Sequence, residues 1–273
     1  MSTYNGEPYL RAQLDSILSQ TLKDWLLLVR DDGSKDRTSD ILNEYAGRYP
    51  SKIRVLESSG QNAGVTRSYS LLMEECARIG ADYIQMADQD DVWLPDKLLT
   101  TRERIVQEEQ KHPAGENIPI LVHTDMIVTD SNLQQTAPSF WKYVNIHPEI
   151  LDHNIHFLAI CNSVTGCATM FNKAALSVIL PFPENIYMHD AWAGLKVLKS
   201  GGHLYAVSEP SLLYRQHDNN VCGATPYRFR LFNLKEKYKL AQHSYQTGHP
   251  LVFRNRLHFL WWKLLYFFKL HSL

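Results

Sequence analysis

Cysteine is scarce in this sequence, and the four present, Cys76, Cys161, Cys167 and Cys222, form no Cys-x-x-Cys pair. That spacing excludes a disulfide-dense scaffold and a zinc ribbon, and it predicts a reduced, cytoplasmic protein. A surplus of either charge is missing too: 28 basic and 29 acidic residues leave a net charge of −1, so no nucleic-acid partner is expected. The 12 histidines are scattered, without a His-Glu-x-x-His arrangement. No uninterrupted apolar run reaches the roughly 18 residues of a spanning helix. Nor does a basic and then apolar leader precede Ser2-Thr3-Tyr4-Asn5-Gly6. What the chain does have is a 44% hydrophobic content over 273 residues, enough for one large α/β domain and a smaller C-terminal appendage.

Apolar residues at helical spacing (Leu10, Leu14, Ile17, Leu18) predict a helix between Pro8 and Gln20. The continuous run Trp25–Val29, stopped by Asp31-Asp32-Gly33-Ser34, has the pattern of a buried parallel strand ending in a polar turn. A helix around Ile41, Leu42 and Tyr45 and a strand over Ile53–Leu56 follow. After the turn Gln61–Gly64 come a helix with Leu71, Leu72 and Cys76, then a strand at Tyr83–Met86 ending in Asp88-Gln89-Asp90-Asp91. Pro95 suits the first turn of the next helix, and the strand Ile120–Val122 leads to Asp125. Residues 131–160 are expected as a loop and then a helix, with a strand over Val164–Phe171. A helix opens at His189-Asp190 and stops at Gly201-Gly202, before strands at Leu204–Val207 and Leu212–Gln216.

This alternation predicts an α/β fold, a Rossmann-like parallel or mixed sheet with helices on both faces. Ligands of such sheets collect beyond the carboxyl ends of the strands, so the two acidic clusters should share one crevice. Such a domain normally opens on a hydrophobic strand, whereas Ser2-Thr3-Tyr4-Asn5 has the character of a strand-to-helix loop. The first strand is therefore expected to be a stub or, preferentially, lost through a truncated reading frame.

Asp88-Gln89-Asp90-Asp91 places three carboxylates within four residues. Their mutual repulsion calls for a cation, and oxygen ligands beside substrate phosphates suit Mg²⁺ or Mn²⁺; the plainer alternative is a solvated acidic turn. Asp31 follows a buried strand and should point into the crevice, where a carboxylate accepts the imide N–H of uracil or thymine. Asp32, Ser34 and Asp36 fit a turn and helix cap. Asp190 at a helix N-terminus is either a cap favoured by the dipole or a general base for an acceptor hydroxyl. Arg215 could neutralise phosphate, and His217 is either a metal ligand or a surface residue.

Taken in order, these pieces resemble the inverting glycosyltransferases of family two, with the GT-A fold. The resemblance runs from Ser2 to Asn220 through Ser-Thr-Tyr-Asn-Gly-Glu (2–7), Asp-Asp-Gly-Ser (31–34) and Asn-Ala-Gly (62–64). It continues through Asp-Gln-Asp-Asp-Val-Trp-Leu-Pro-Asp-Lys-Leu (88–98), Thr-Gly-Cys-Ala-Thr-Met-Phe-Asn (165–172), Met-His-Asp (188–190) and Tyr-Arg-Gln-His-Asp-Asn-Asn (214–220). It implies that Thr3, Tyr4, Asn5 and Glu7 line a nucleotide pocket in which Asp31 reads the base, with Arg67 approaching the phosphates. Asp88 and Asp90 would form the DXD motif, Asp90 being the direct metal ligand, with His217 near the metal and Asp190 as catalytic base. The later motifs look most like the rhamnosyltransferase branch, although Ala191 departs from its His-Asp-Trp-Trp pattern. The implied partners are a UDP- or dTDP-sugar donor, foremost dTDP-rhamnose, and a glycan or lipid-linked acceptor in surface polysaccharide synthesis.

The expected organisation is a GT-A domain over 1–220, with a nucleotide-binding half (1–125) and an acceptor half (126–220), then a helical segment over 221–273. The aromatic and basic stretch from Arg254 to Leu273 suits either a membrane interface, at the inner face of the plasma membrane, or packing on the catalytic domain. Two other functions fit parts of the pattern: a nucleotide-sugar-binding protein with catalysis impaired by truncation, and a Mg²⁺-dependent nucleotidyltransferase. The latter needs a glycine-rich basic loop after its first strand, which Tyr4-Asn5-Gly6-Glu7 is not.

Overall fold

The computed structural model describes residues 1–58, 60–113, 115–184, 186, 188–218, 220, 223–224, 241–242, 244–246, 248 and 251–270. Its first half runs β1 (Ser2–Thr3), α1 (Glu7–Leu18), β2 (Leu27–Asp31), α2 (Thr38–Arg48), β3 (Ile53–Val55), α3 (Val65–Arg78), β4 (Tyr83–Gln85), β5 (Val92–Trp93) and α4 (Lys97–Glu109). The second half continues with β6 (Ile120–Thr124), β7 (Ile127–Thr129), β8 (Gln135–Ala137), α5 (Phe140–Val144), α6 (Pro148–Leu151) and α7 (Ile155–Ile160). A short 3₁₀ turn (Gly166–Ala168), β9 (Thr169–Asn172), α8 (Lys173–Ile179), α9 (His189–Lys199), β10 (His203–Val207), β11 (Leu212–Arg215) and α10 (Arg256–Leu270) complete it.

The strands form a mixed arrangement. β1, β2 and β3 are parallel, while the order β10-β6-β9-β4 combines a parallel β10–β6 pair with antiparallel β9. A further sheet, β5-β11-β7-β8, carries the end of the domain back beside the acidic turn. Every residue of β6 is buried, because both faces of its sheet are covered. Ile120 and Val122 face a core built with Leu10 and Leu14 of α1, Ile41 and Leu42 of α2, and Ile105 of α4. Leu121 faces the other core, with Leu72 and Met73 of α3, Leu176 of α8, and Trp192 and Leu195 of α9. Helices on both faces are thus as expected.

Several boundaries differ from expectation. β2 starts at Leu27 and includes Asp31, so that Asp31 is the last residue of the strand and not part of the turn. The turn itself needs glycine: Gly33 has φ +82°, and a Cβ there would come within 2.5 Å of the Gly60 carbonyl oxygen. α4 begins at Lys97, so Pro95 precedes the helix and is not in its first turn. The 131–160 region contains the β-hairpin partner β8 and three short helices in place of a loop and one helix. Of the strand expected over Val164–Phe171, the first part is the 3₁₀ turn. The first strand consists of the two residues of β1, where Ser2 pairs with Arg30 and Thr3 with Asp31. Beyond it lies an apolar trough bordered by Leu27 and Leu28 of β2, Ile84 of β4, Met73 of α3 and Met1. Of the helical segment expected over 221–273, residues 256–270 form α10; residues 221–222 and 225–240 lie outside the described residues.

Candidate active site

The two acidic strand ends are linked through β1 and the loop after it, which bond both. Asp31, closing β2, accepts from the Thr3 hydroxyl at 2.9 Å, the Ser34 hydroxyl at 2.6 Å and N–H at 3.0 Å, and the Ser39 hydroxyl at 3.2 Å. The loop after β1 is sewn to the same turn: Asn5 N–H donates to Ser34 Oγ and Lys35 N–H to Asn5 Oδ1. Likewise Glu7 N–H donates to Asp36, and Arg37 N–H to Glu7. Tyr4 is exposed, and its backbone exchanges two hydrogen bonds with the Gln89 side chain, at 2.9 and 3.0 Å. That exchange ties the first loop to the acidic turn after β4.

Asp32 has a structural part. It is buried against the Arg30 guanidinium at 2.5 Å and receives the Ala63 and Gly64 N–H groups at 2.9 and 2.8 Å. Burial alone would raise its pKa; Arg30 and the two amides outweigh that and hold it below the ordinary value.

In the acidic turn, Asp88 Oδ1 accepts the Tyr69 hydroxyl at 2.7 Å. Burial, and then the charge of Asp90, push Asp88 up to about 6. Asp90 Oδ2 lies 3.0 Å from His217 Nε2, and the His217 ring stacks on Tyr9 of α1 with centroids 4.4 Å apart. Asp91 is fully buried and accepts Arg215 N–H at 3.3 Å through Oδ1; its Oδ2 has no hydrogen-bond partner among the described residues. Burial and the Asp90 and Asp88 charges raise its pKa strongly. Two buried cations answer this negative charge. Lys97 Nζ bonds Ser211 Oγ at 3.0 Å, burial lowering its pKa to about 8 against the pull of Cys167 and Asp91. The Arg215 guanidinium sits 4.7 Å from the centre of the Tyr9 ring and donates to Ser131 O at 3.1 Å. Its Nε and Nη2 find no partner among the described residues.

The third side of the crevice is the start of α9. Asp190 is 7% exposed and accepts the Ala191 N–H at 2.6 Å and the Gly166 N–H at 3.0 Å. Asn162 Nδ2 lies 3.5 Å away. Burial pushes its carboxyl up to about 6, well above an ordinary aspartate. Beside it His189 stacks on Tyr69 at 3.9 Å, and neither ring nitrogen has a partner among the described residues. Burial lowers His189 to about 3, leaving a neutral imidazole. Tyr69 thus touches Asp88 with its hydroxyl and His189 with its ring, joining the acidic turn to Asp190.

Among the residues picked out from sequence, Thr3, Tyr4, Asn5, Glu7, Asp31, Asp88, Asp90, Asp190 and His217 are brought together. Arg67 is not: its side chain is exposed and bonds Ser70 and Glu74 of its own helix, at 3.2 and 3.3 Å. Tyr9, Tyr69, Asn162, Gly166 and His189 were missed as site residues. Gly166 and His189 sit inside motifs already quoted, whereas Tyr9 and Tyr69 occupy helix positions that look like ordinary core-facing aromatics.

Carboxylates and an imidazole suit a hard divalent cation. Among the described residues, however, Asp90 and His217 pair with each other. The group with ligand atoms within 4.8 Å of one another is Asp88, Asp91 and Cys167, not Asp88, Asp90 and His217. The orphaned Asp91 oxygen and the raised Asp88 pKa mark uncompensated negative charge of the kind such an ion relieves. The protonated, buried thiol of Cys167 is a poor ligand for such an ion, which favours the oxygen side of the cluster.

Comparison with known proteins agrees with this architecture. The family model of glycosyl transferase family 2 matches residues 1–177. A dTDP-rhamnosyl transferase, RfbG, of Shigella flexneri is 28% identical over 247 residues, covering 88% of this chain and 77% of its own. The putative teichuronic acid biosynthesis glycosyltransferase TuaG of Bacillus subtilis (strain 168) is 27% identical over 222 residues, with 80% and 78% covered. Among solved structures, the mannosyltransferase PcManGT from Pyrobaculum calidifontis, in complex with GDP-Man and Mn²⁺, superposes with a TM-score of 0.60 at 18% identity. That superposition covers 93% of this chain but 63% of the other, so the chain spans less than two thirds of that structure. The likeness shows the fold, GT-A.

Proposed function

This chain belongs to glycosyl transferase family 2, and from that premise we propose that it moves a sugar from a UDP- or dTDP-sugar, foremost rhamnose from dTDP-rhamnose, to a glycan or lipid-linked acceptor. The likeness to RfbG and TuaG supports a rhamnose donor and a place in surface polysaccharide synthesis. The connection from Asp88 through Tyr69 and His189 to Asp190 supports a glycosyl-transfer site most directly, since it sets donor and base sides of one crevice next to each other.

In this proposal Thr3, Tyr4, Asn5 and Glu7 border the nucleotide and Asp31 accepts the imide N–H of its base. Asp31 already accepts four internal donors, about the capacity of a carboxylate. One hydroxyl, from Thr3 or Ser39, therefore turns away when the base arrives. Asp88, Asp90 and His217 would hold Mg²⁺ or Mn²⁺, which when bound offsets the charge of the departing diphosphate. Arg67, turned towards Glu74, reaches the phosphates only after leaving that partner. Arg215 is better placed, with two buried guanidinium donors available for an oxyanion. Asp190 takes the proton of the acceptor hydroxyl as that oxygen bonds the anomeric carbon and the bond to the diphosphate breaks. Attack on the face opposite the leaving group inverts the anomeric centre. The Ala191 and Gly166 amides hold the carboxylate in place; Asn162 also donates to Oδ1, so Oδ2 keeps the second lone pair for that proton.

Asp190→Asn should lower transfer on the order of 10³-fold while leaving dTDP-rhamnose binding, read by thermal shift with Mn²⁺, unchanged. Wild-type turnover in the variant would remove Asp190 from the reaction. Donor binding without any turnover in the unaltered chain would replace the catalytic proposal by a binding protein.

A further inference from the structure

Helix α10 has two apolar faces with different fates. On one, Phe259 and Tyr266 are buried, Trp262 stacks on His156 at 3.9 Å, and Tyr266 meets Phe157 at 5.6 Å. That face seats the helix on α7. On the other, Leu257 is 77% exposed, Leu260 56%, Trp261 55%, Leu264 53%, Phe267 53% and Phe268 61%. At about 100° per residue these side chains fall in one stripe roughly 120° wide. By the same geometry Arg256 and Lys263 run along one edge of the stripe, Lys263 reaching over the Phe259 ring. Lys269 lies about 80° past the other edge, and exposed Arg254 stands just ahead of the helix. No aspartate or glutamate occurs after Glu236.

We propose that this stripe rests on an anionic lipid bilayer, with α10 lying in the plane of its surface. A contiguous exposed apolar stripe of this extent marks an interaction surface, and its cationic edge, with no acid in it, complements anionic headgroups. A second copy of the chain fits poorly, since pairing stripe to stripe would set basic edge against basic edge. Crossing the bilayer is no alternative for α10: among the described residues no helix is long and apolar enough to do so. The seat also has a direction. α7, which carries His156 and Phe157, ends at Ile160, and Asn162 just beyond it lies 3.5 Å from Asp190. Resting on the glycosyl-transfer reading of that site, the bilayer then lies one helix away from the base, and the acceptor class it favours is lipid-linked.

The test is flotation of the full chain with phosphatidylcholine vesicles, alone or with about 30% phosphatidylglycerol, with dTDP-rhamnose turnover and thermal midpoint measured on the same samples. The chain should float with the anionic vesicles, and high salt should weaken this. Trp261→Ser combined with Phe268→Ser should reduce the bound fraction on the order of tenfold without changing the midpoint or turnover of a water-soluble acceptor. Arg256→Glu with Lys263→Glu should abolish the anionic preference. Equal flotation of the aromatic variant and the unaltered chain, or no flotation at all, overturns the seat. So does a dimer that the aromatic variant dissolves, because the stripe is then covered by a second copy. Turnover without flotation refutes the seat alone, and flotation without turnover refutes the glycosyl-transfer reading alone.

Discussion

Asp190 serves two opposed requirements. Burial raises the carboxyl to about 6 against the downward pull of the Ala191 and Gly166 amides, which sharpens it as a base but makes its charge costly to the fold. The folded-state value lies above the ordinary 3.8 of an aspartate, so the stabilising contribution is complete below about 4 and lost as pH rises through about 6. Above that, the ionised group costs on the order of 3 kcal/mol. Asp190→Asn should therefore melt higher than the unaltered chain at pH 8 and show no such advantage at pH 4, as calorimetry at the two pH values would check. For the unaltered enzyme the acid limb of kcat/KM should fall near pH 6, not near 4, because the base must be ionised to act. Gly166 is the other sensitive residue. A Cβ there would stand 2.9 Å from His189 Nε2 and 3.8 Å from Asp190 Oδ2, so Gly166→Ala should reduce kcat by tenfold or more. Steady-state kinetics with the donor at saturation would show whether the loss is in kcat.

Elements were legible where apolar side chains followed a clear period. α1, α2, α3 and β6 lie where the pattern indicated, since burying their apolar faces is what forms them. β8 was not legible: Gln135 and Thr136 are exposed and polar, so this strand at the sheet's edge carries no alternation. β5 is two residues long and owes its existence to pairing with β11, far along the chain. α8 follows β9 without an intervening loop, and hence without a turn signal. The junction is Asn172, whose Oδ1 caps the helix at Ala175 N–H (2.9 Å) and also accepts Ile120 N–H (3.1 Å). One side chain thus ends a strand, starts a helix and anchors β6. Asn172→Ala should cost about 1–2 kcal/mol, seen as a lower urea midpoint with unchanged slope. The candidate site was legible in its acidic motifs and opaque in its aromatic supports, because a buried tyrosine such as Tyr69 has the same sequence appearance whether or not its hydroxyl meets an aspartate.

Across the whole molecule, the metal-side residues are drawn from both ends of the domain. Tyr9 of α1 meets both the Arg215 guanidinium, at the end of β11, and the His217 ring just beyond it. Tyr9→Ala, which removes no candidate ligand, should raise the Mn²⁺ concentration for half-maximal activity about tenfold by releasing His217 from its orientation; an unchanged metal titration would show that the stack has no positioning part. These two contacts bear on biosynthesis. A ribosome delivers Tyr9 early and Arg215 and His217 some two hundred residues later, so a nascent chain stalled before β11 emerges carries the nucleotide loops but not the clamp on the acidic turn. On the proposed reading, the donor loops are made first and the clamp on the acidic turn forms only once β11 has folded back beside α1.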